Sequence, residues 1–156
     1  SISENITSAE VGSNNSSNRV KTYKGYNVLG TIEIPKTGVN SPILEGPASN
    51  KKIEIAVAVQ YPLNVELNTV GNIVISGHNY RNGLFFSDNK KLSNGDKIYI
   101  TDLNANKVEY TIYNIFTTTV NDTSYVNRDT DGKREITLYT CTDDAASRLI
   151  VEARAE

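Results

Sequence analysis

From Tyr26 onward, apolar positions fall in short runs separated by turn residues, and most of these runs alternate with polar positions. Leu29–Pro35 (LGTIEIP) sets Ile32 and Ile34 against Thr31 and Glu33, the period of a half-buried strand, and ends on a proline. Ser41–Leu44 predicts a brief second strand. Lys51–Gln60 (KKIEIAVAVQ) puts Ile53, Ile55, Val57 and Val59 at period two and reads as a strand, although its alanines leave a short helix open. Asn72–Ser76 (NIVIS) is a continuous apolar run suited to a strand covered on both faces. Lys97–Thr101 and Val108–Phe116 alternate clearly, with the polar stretch Asp102–Lys107 between them as a hairpin turn. Ile136–Thr140 and Leu149–Ala153 complete the strands, and Leu84–Leu92 reads as a helical turn or two. Seven or eight short strands with little helix predict an all-β chain, folded as a closed or nearly closed β-barrel.

The N-terminal segment breaks this pattern. Its first 22 residues hold ten Ser or Asn against five scattered apolar residues, too little burial to offset the entropy of ordering. Residues 1–25 are therefore expected to be a polar arm, with a short helix over Glu4–Val11 open, and residues 26–156 the folded domain. A total of 156 residues fits one domain with a proper core.

Charge and composition remove several function classes. A net charge of −2 is unlike the basic excess of a nucleic-acid binder, and no apolar run approaches the ~20 residues of a membrane span. One Cys forbids an intrachain disulfide, and one Cys with one His cannot form a Cys/His zinc cluster. A chain with no Met that begins at Ser1 is expected to be a processed or partial form, with any signal or anchor upstream.

Candidate chemistry gathers at strand ends. His78 follows the run NIVIS, Cys141 ends the strand TLYTC, and Arg148 opens the final strand. Thr142–Ser147 join the last two strands as a hairpin loop, so Cys141 and Arg148 are expected to face each other across an antiparallel pair. Taken singly, each is more commonly an inert core thiol, a structural imidazole or a solvated edge charge. Together they supply a nucleophile, a proton carrier and a fixed cation whose N–H groups can hold an oxyanion, the minimum for acyl transfer.

The segments GTIEIPKTGVNSPILEG, SGHNYRNGLF and ITLYTC, with Arg148 seven residues after the Cys, occur in an order that resembles the sortases, cysteine transpeptidases of Gram-positive cell surfaces. The resemblance spans about Tyr26–Glu156 and is most specific in TLYTC, which matches a Thr-Leu-x-Thr-Cys signature. It implies an eight-stranded β-barrel and a reaction on an LPXTG-like sorting signal. Cys141 would attack the Thr–Gly carbonyl and form a thioacyl enzyme. His78 would protonate the leaving amine and deprotonate the incoming one, and Arg148 would stabilise the oxyanion. Thr140 would help form the oxyanion hole or contact substrate, and Tyr139 would line the substrate site. The implied partners are the sorting-signal peptide and an amine of a peptidoglycan precursor, not nucleic acid. The implied location is the outer face of the cell membrane, tethered by a segment upstream.

Within that family, the chain lacks the Asp-Pro-aromatic lid motif of pilin-polymerising enzymes, and Thr117–Glu135 reads as a loop rather than the long helix of class B. A class A or D type is expected. Some class A sortases use calcium, but Glu66, Asp122, Asp129 and Asp131 make an incomplete ligand set, so no metal and no cofactor are expected. Two alternatives are an L,D-transpeptidase, whose His lies close before its Cys rather than 63 positions away (141 − 78), and a non-catalytic surface β-domain with Cys141 in its core.

Overall fold

A computed structural model describes residues 7–10 and 19–156. Ten strands make one sheet: β1 (Thr7–Glu10), β2 (Arg19–Tyr23), β3 (Tyr26–Ile34), β4 (Val39–Leu44), β5 (Val57–Tyr61), β6 (Gly71–Ser76), β7 (Lys97–Asp102), β8 (Lys107–Thr118), β9 (Arg134–Cys141) and β10 (Arg148–Arg154). The order β3-β4-β5-β6-β9-β10-β8-β7 returns on itself, because Gly30–Glu33 of β3 also pair with Tyr99–Asp102 of β7. The result is the closed eight-stranded barrel expected from the strand pattern. Closure removes the sheet edges that would otherwise present unpaired backbone groups.

Alternation fills the barrel. Ile32 and Ile34 of β3, Ile43 of β4, Ile75 of β6, Ile98 and Ile100 of β7, Ile112 of β8 and Ile136 and Leu138 of β9 point inward and are fully buried. Each such side chain contributes about 1.5–3 kcal/mol of burial. The continuous run NIVIS is apolar on both faces because Ile73 and Ile75 face the core while Val74 is covered from outside by Tyr125.

Two readings of the sequence change. Lys51–Gln60 is not one strand. Asn50–Ile53 form a short helix, α1, capped by Ser49, whose Oγ accepts from the Lys52 N–H, and β5 begins only at Val57. The reason is topological: β4 and β5 run parallel, and a parallel pair needs a crossover that a straight strand cannot supply. Leu84–Leu92 holds a helical turn as expected, the single 3₁₀ turn Asn89–Lys91. In the N-terminal arm, Thr7–Glu10 are strand rather than helix; the rest of that helix reading lies outside the described residues. β2 forms a hairpin with the start of β3, and Tyr23 is buried beside Val28, Leu44, Ala56 and Ala58. No helix among the described residues is long and apolar enough to cross a membrane.

Candidate active site

Three adjacent strands position the singular residues at their ends. β6 and β9 run parallel at one constant offset, from Gly71↔Arg134 to Ser76↔Tyr139. His78 and Cys141 have the same spacing of 63 positions (141 − 78), so His78 leaves β6 level with Cys141 at the end of β9. On the other side, β10 runs antiparallel to β9 and pairs Arg148 with Cys141, as the hairpin spacing predicts. Cys141 is thus flanked by Arg148 of β10 and by His78, two residues past the end of β6. Since Ile136 and Leu138 face the core, the alternate positions Glu135, Thr137, Tyr139 and Cys141 lie on the outer face of the barrel wall. All three residues of the row are half-buried, accessible yet held.

The end of β6 is fastened to the end of β9. The Gly77 N–H donates to the Tyr139 carbonyl at 3.1 Å, and the Thr140 hydroxyl donates back to the Gly77 carbonyl at 2.7 Å. Phe86 packs so closely under Gly77 that a Cβ there would sit 2.5 Å from its ring, which is why this position is glycine. Asn79 then ties the following loop to the Cys141 backbone: its Nδ2 donates to the Cys141 carbonyl at 3.0 Å and to Asp143 Oδ1 at 2.9 Å. Lys90 adds an ion pair to Asp143 at 2.7 Å, and the hydrogen bonds from Lys90 and Asn79 hold the Asp143 carboxyl below its usual range. The His78 ring stacks on Tyr80, with centroids 4.5 Å apart.

Arg148 is equally constrained. Its Nε donates to the Tyr139 hydroxyl at 2.7 Å and its Nη1 to the carbonyls of Ser147 at 3.0 Å and Ala145 at 3.4 Å. Tyr139 in turn stacks on Tyr125, which is buried against Val74 and Ile150. Thr140 faces the other way. Its side chain is 1% exposed and its hydroxyl is spent on Gly77, so it bears on the site by holding the two strand ends together.

The link from β8 to β9 lies over this outer face and is anchored by a buried charge network that sequence reasoning did not find. Arg128 pairs with Glu135 at 2.7 Å and with Glu152 at 2.9 Å, and its Nη2 donates to Asn72 and Thr137. Burial raises the Glu135 pKa, but hydrogen bonds from Tyr113, Arg128 and Arg154 outweigh it and hold the carboxyl below its usual range. The available signal was an acidic residue inside each of two apolar strands, REITL and LIVEA. The carboxylates weighed as calcium ligands do not fit that ion. Asp122 accepts from Thr118 and Ser124, Asp129 accepts from the Asp131 N–H, and among the described residues no three His, Cys, Asp or Glu side chains converge.

A family model described as a sortase domain matches residues 32–156. The chain belongs to the sortase family. Sortase A of Bacillus anthracis is 33% identical over 127 residues, covering 80% of this chain and 58% of that protein. Among solved structures, a Clostridium perfringens sortase D5 transpeptidase superposes with a TM-score of 0.72 at 32% identity, covering 83% of this chain and 79% of its own. Sortase C from Clostridium perfringens SM101 gives 0.69 at 28% identity, covering 83% and 70%. The chain spans about half the length of the curated sortases it matches. Family membership sets aside the L,D-transpeptidase and surface-domain alternatives. The sortase neighbours include A, C and D types, so overall likeness does not separate the classes.

Proposed function

We propose that this domain is a cysteine transpeptidase that cleaves an LPXTG-like sorting signal between Thr and Gly and transfers the acyl part to an amine, such as that of a peptidoglycan precursor. The observation that carries this reading is the placement of Cys141 at the end of β9, paired with Arg148 of β10 on one side and level with His78, two residues past the end of β6, on the other. Rigid strands hold reacting groups to the tolerance that acyl transfer needs.

In this mechanism the Cys141 thiolate adds to the Thr carbonyl carbon, and the developing oxyanion takes N–H donors from Arg148. Collapse breaks the C–N bond, and His78 gives its proton to the departing glycine amine. The neutral imidazole then removes a proton from the acceptor amine, which attacks the thioester and releases the Cys141 thiolate. Thr140 acts as a positioning residue, since its hydroxyl ties the His78 strand end to the Cys141 strand end. Residues 26–156 are the catalytic domain of this reading and 1–25 its arm; the enzyme works on the outer face of the cell membrane, tethered by a segment upstream. The lack of an Asp-Pro lid motif and of a helix between Thr118 and Arg134 favours an anchoring enzyme of A or D type.

The test is one chromatogram of an LPXTG-type peptide with and without hydroxylamine, a small amine that needs no acceptor site. Wild type is expected to yield a hydroxamate, and Cys141→Ala to yield no cleavage with an unchanged melting curve. Cleavage without hydroxamate would mean that no interceptable thioester forms.

A further inference from the structure

An arginine that must present N–H groups to a transient oxyanion faces an entropic problem. Its side chain is long, and a half-buried one at the mouth of a site loses much of its rotamer freedom when fixed. Something must fix the guanidinium plane before the reaction, because donors that reorganise during it stabilise the oxyanion poorly. In this domain two of the three guanidinium nitrogens are tied: Nη1 to the backbone carbonyls of Ser147 and Ala145, and Nε to the Tyr139 hydroxyl at 2.7 Å. Among the described residues, Nη2 donates to no protein group.

The backbone carbonyls come with the turn, whatever its side chains are. The Nε anchor depends on one phenol, and that phenol is itself immobile. The Tyr139 ring stacks on Tyr125 with centroids 5.7 Å apart. Tyr125 is 4% exposed, and its carbonyl accepts from Asn72 Nδ2 at 3.1 Å and from Arg128 Nε at 3.3 Å. Tyr139 is also one strand from Arg148 and two residues from Cys141 on the same face, so a single β9 backbone sets nucleophile and anchor together.

We infer that Tyr139 is the positioning residue of Arg148: its hydroxyl accepts the Nε–H and fixes the guanidinium plane, leaving Nη2 for the oxyanion. This rests on the proposed role of Arg148 in acyl transfer. It gives Tyr139 a role distinct from lining the substrate site, the role that the family resemblance implies.

The test is Tyr139→Phe, which keeps the ring and its stack on Tyr125 and removes only the acceptor. With an LPXTG-type peptide, kcat is expected to fall about tenfold, the scale of one hydrogen bond to a charged group, with KM within about twofold of wild type. In an Arg148→Lys background, which has no Nε to anchor, the same change is expected to alter kcat less than about twofold. Independently of turnover, the Arg148 Nε–H followed by ¹⁵N NMR is expected to exchange with solvent at least about tenfold faster in Tyr139→Phe. A raised KM at constant kcat, an equal tenfold loss in both backgrounds, or an unchanged Nε–H exchange rate would each overturn the inference while leaving the transpeptidase reading intact. A wild type that forms no thioester overturns both.

Discussion

Cys141 draws its partners from either side of β9. Arg148 pairs with Cys141 across the antiparallel β9–β10 ladder, and His78 follows the end of β6, which runs parallel to β9 on the other side. In the proposed mechanism the demand on Arg148 is geometric as well as electrostatic. Arg148→Lys keeps the charge but loses both the Nε anchor and the planar fork, so kcat is expected to fall by roughly 10²-fold, the scale of deleting an oxyanion donor. Steady-state kinetics checks this, and an effect below threefold would make Arg148 structural. These residues were legible in the sequence because each was singular: the only Cys, the only His and an Arg seven positions past the Cys. Asn79 was not legible, since one more Asn in a polar loop gives no sign that its amide will bond the Cys141 carbonyl.

Between elements, the deciding contact is the parallel seam of β6 and β9. Its ladder continues beyond the last paired residues through Gly77, where Thr140 supplies the return bond. Thr140→Val keeps the shape but orphans a buried carbonyl, at a cost of about 1–3 kcal/mol. Its expected signature is a lower kcat with little change in KM, because the hydroxyl faces Gly77 rather than the outer surface. Denaturant unfolding beside peptide kinetics measures both effects. The strands themselves were readable as alternation. What periodicity could not show was the crossover at α1, because IEIAVAV is compatible with a strand until the parallel pairing of β4 and β5 demands a turn.

For the molecule as a whole, the β8–β9 link is fastened to the barrel by the buried Arg128 charge network as well as by the packing of Tyr125 on Val74 and Ile150. Glu135 is 1% exposed and shared by Arg128 and Arg154, so Glu135→Gln removes the carboxylate charge facing Arg154 and leaves Arg128 with Glu152 alone, and is expected to cost about 3 kcal/mol at neutral pH. The sign with pH follows from its lowered pKa. Glu135 contributes stability above its unfolded value of about 4.3, and that contribution is lost as pH falls through the lower folded value. Denaturation midpoints from pH 7 down to about pH 3 should therefore fall more steeply in wild type than in Glu135→Gln. Equal slopes would mean that the network contributes nothing.

The sequence by itself determined the class of this fold and singled out its candidate reactive groups. Alternation at period two depends only on which side chains leave water, and a lone thiol, imidazole and guanidinium at strand ends are visible without any pairing. The tertiary structure decided which strands become neighbours, and with them everything that depends on distance across the sheet. It brought His78 level with Cys141 from 63 positions away (141 − 78), turned Thr140 inward to Gly77, and set the Tyr139 hydroxyl against Arg148. It also gathered Arg128, Glu135 and Glu152 from three separate segments into one buried network. Local pattern cannot encode such contacts, because strand order and register are fixed by the joint burial of all the apolar faces at once.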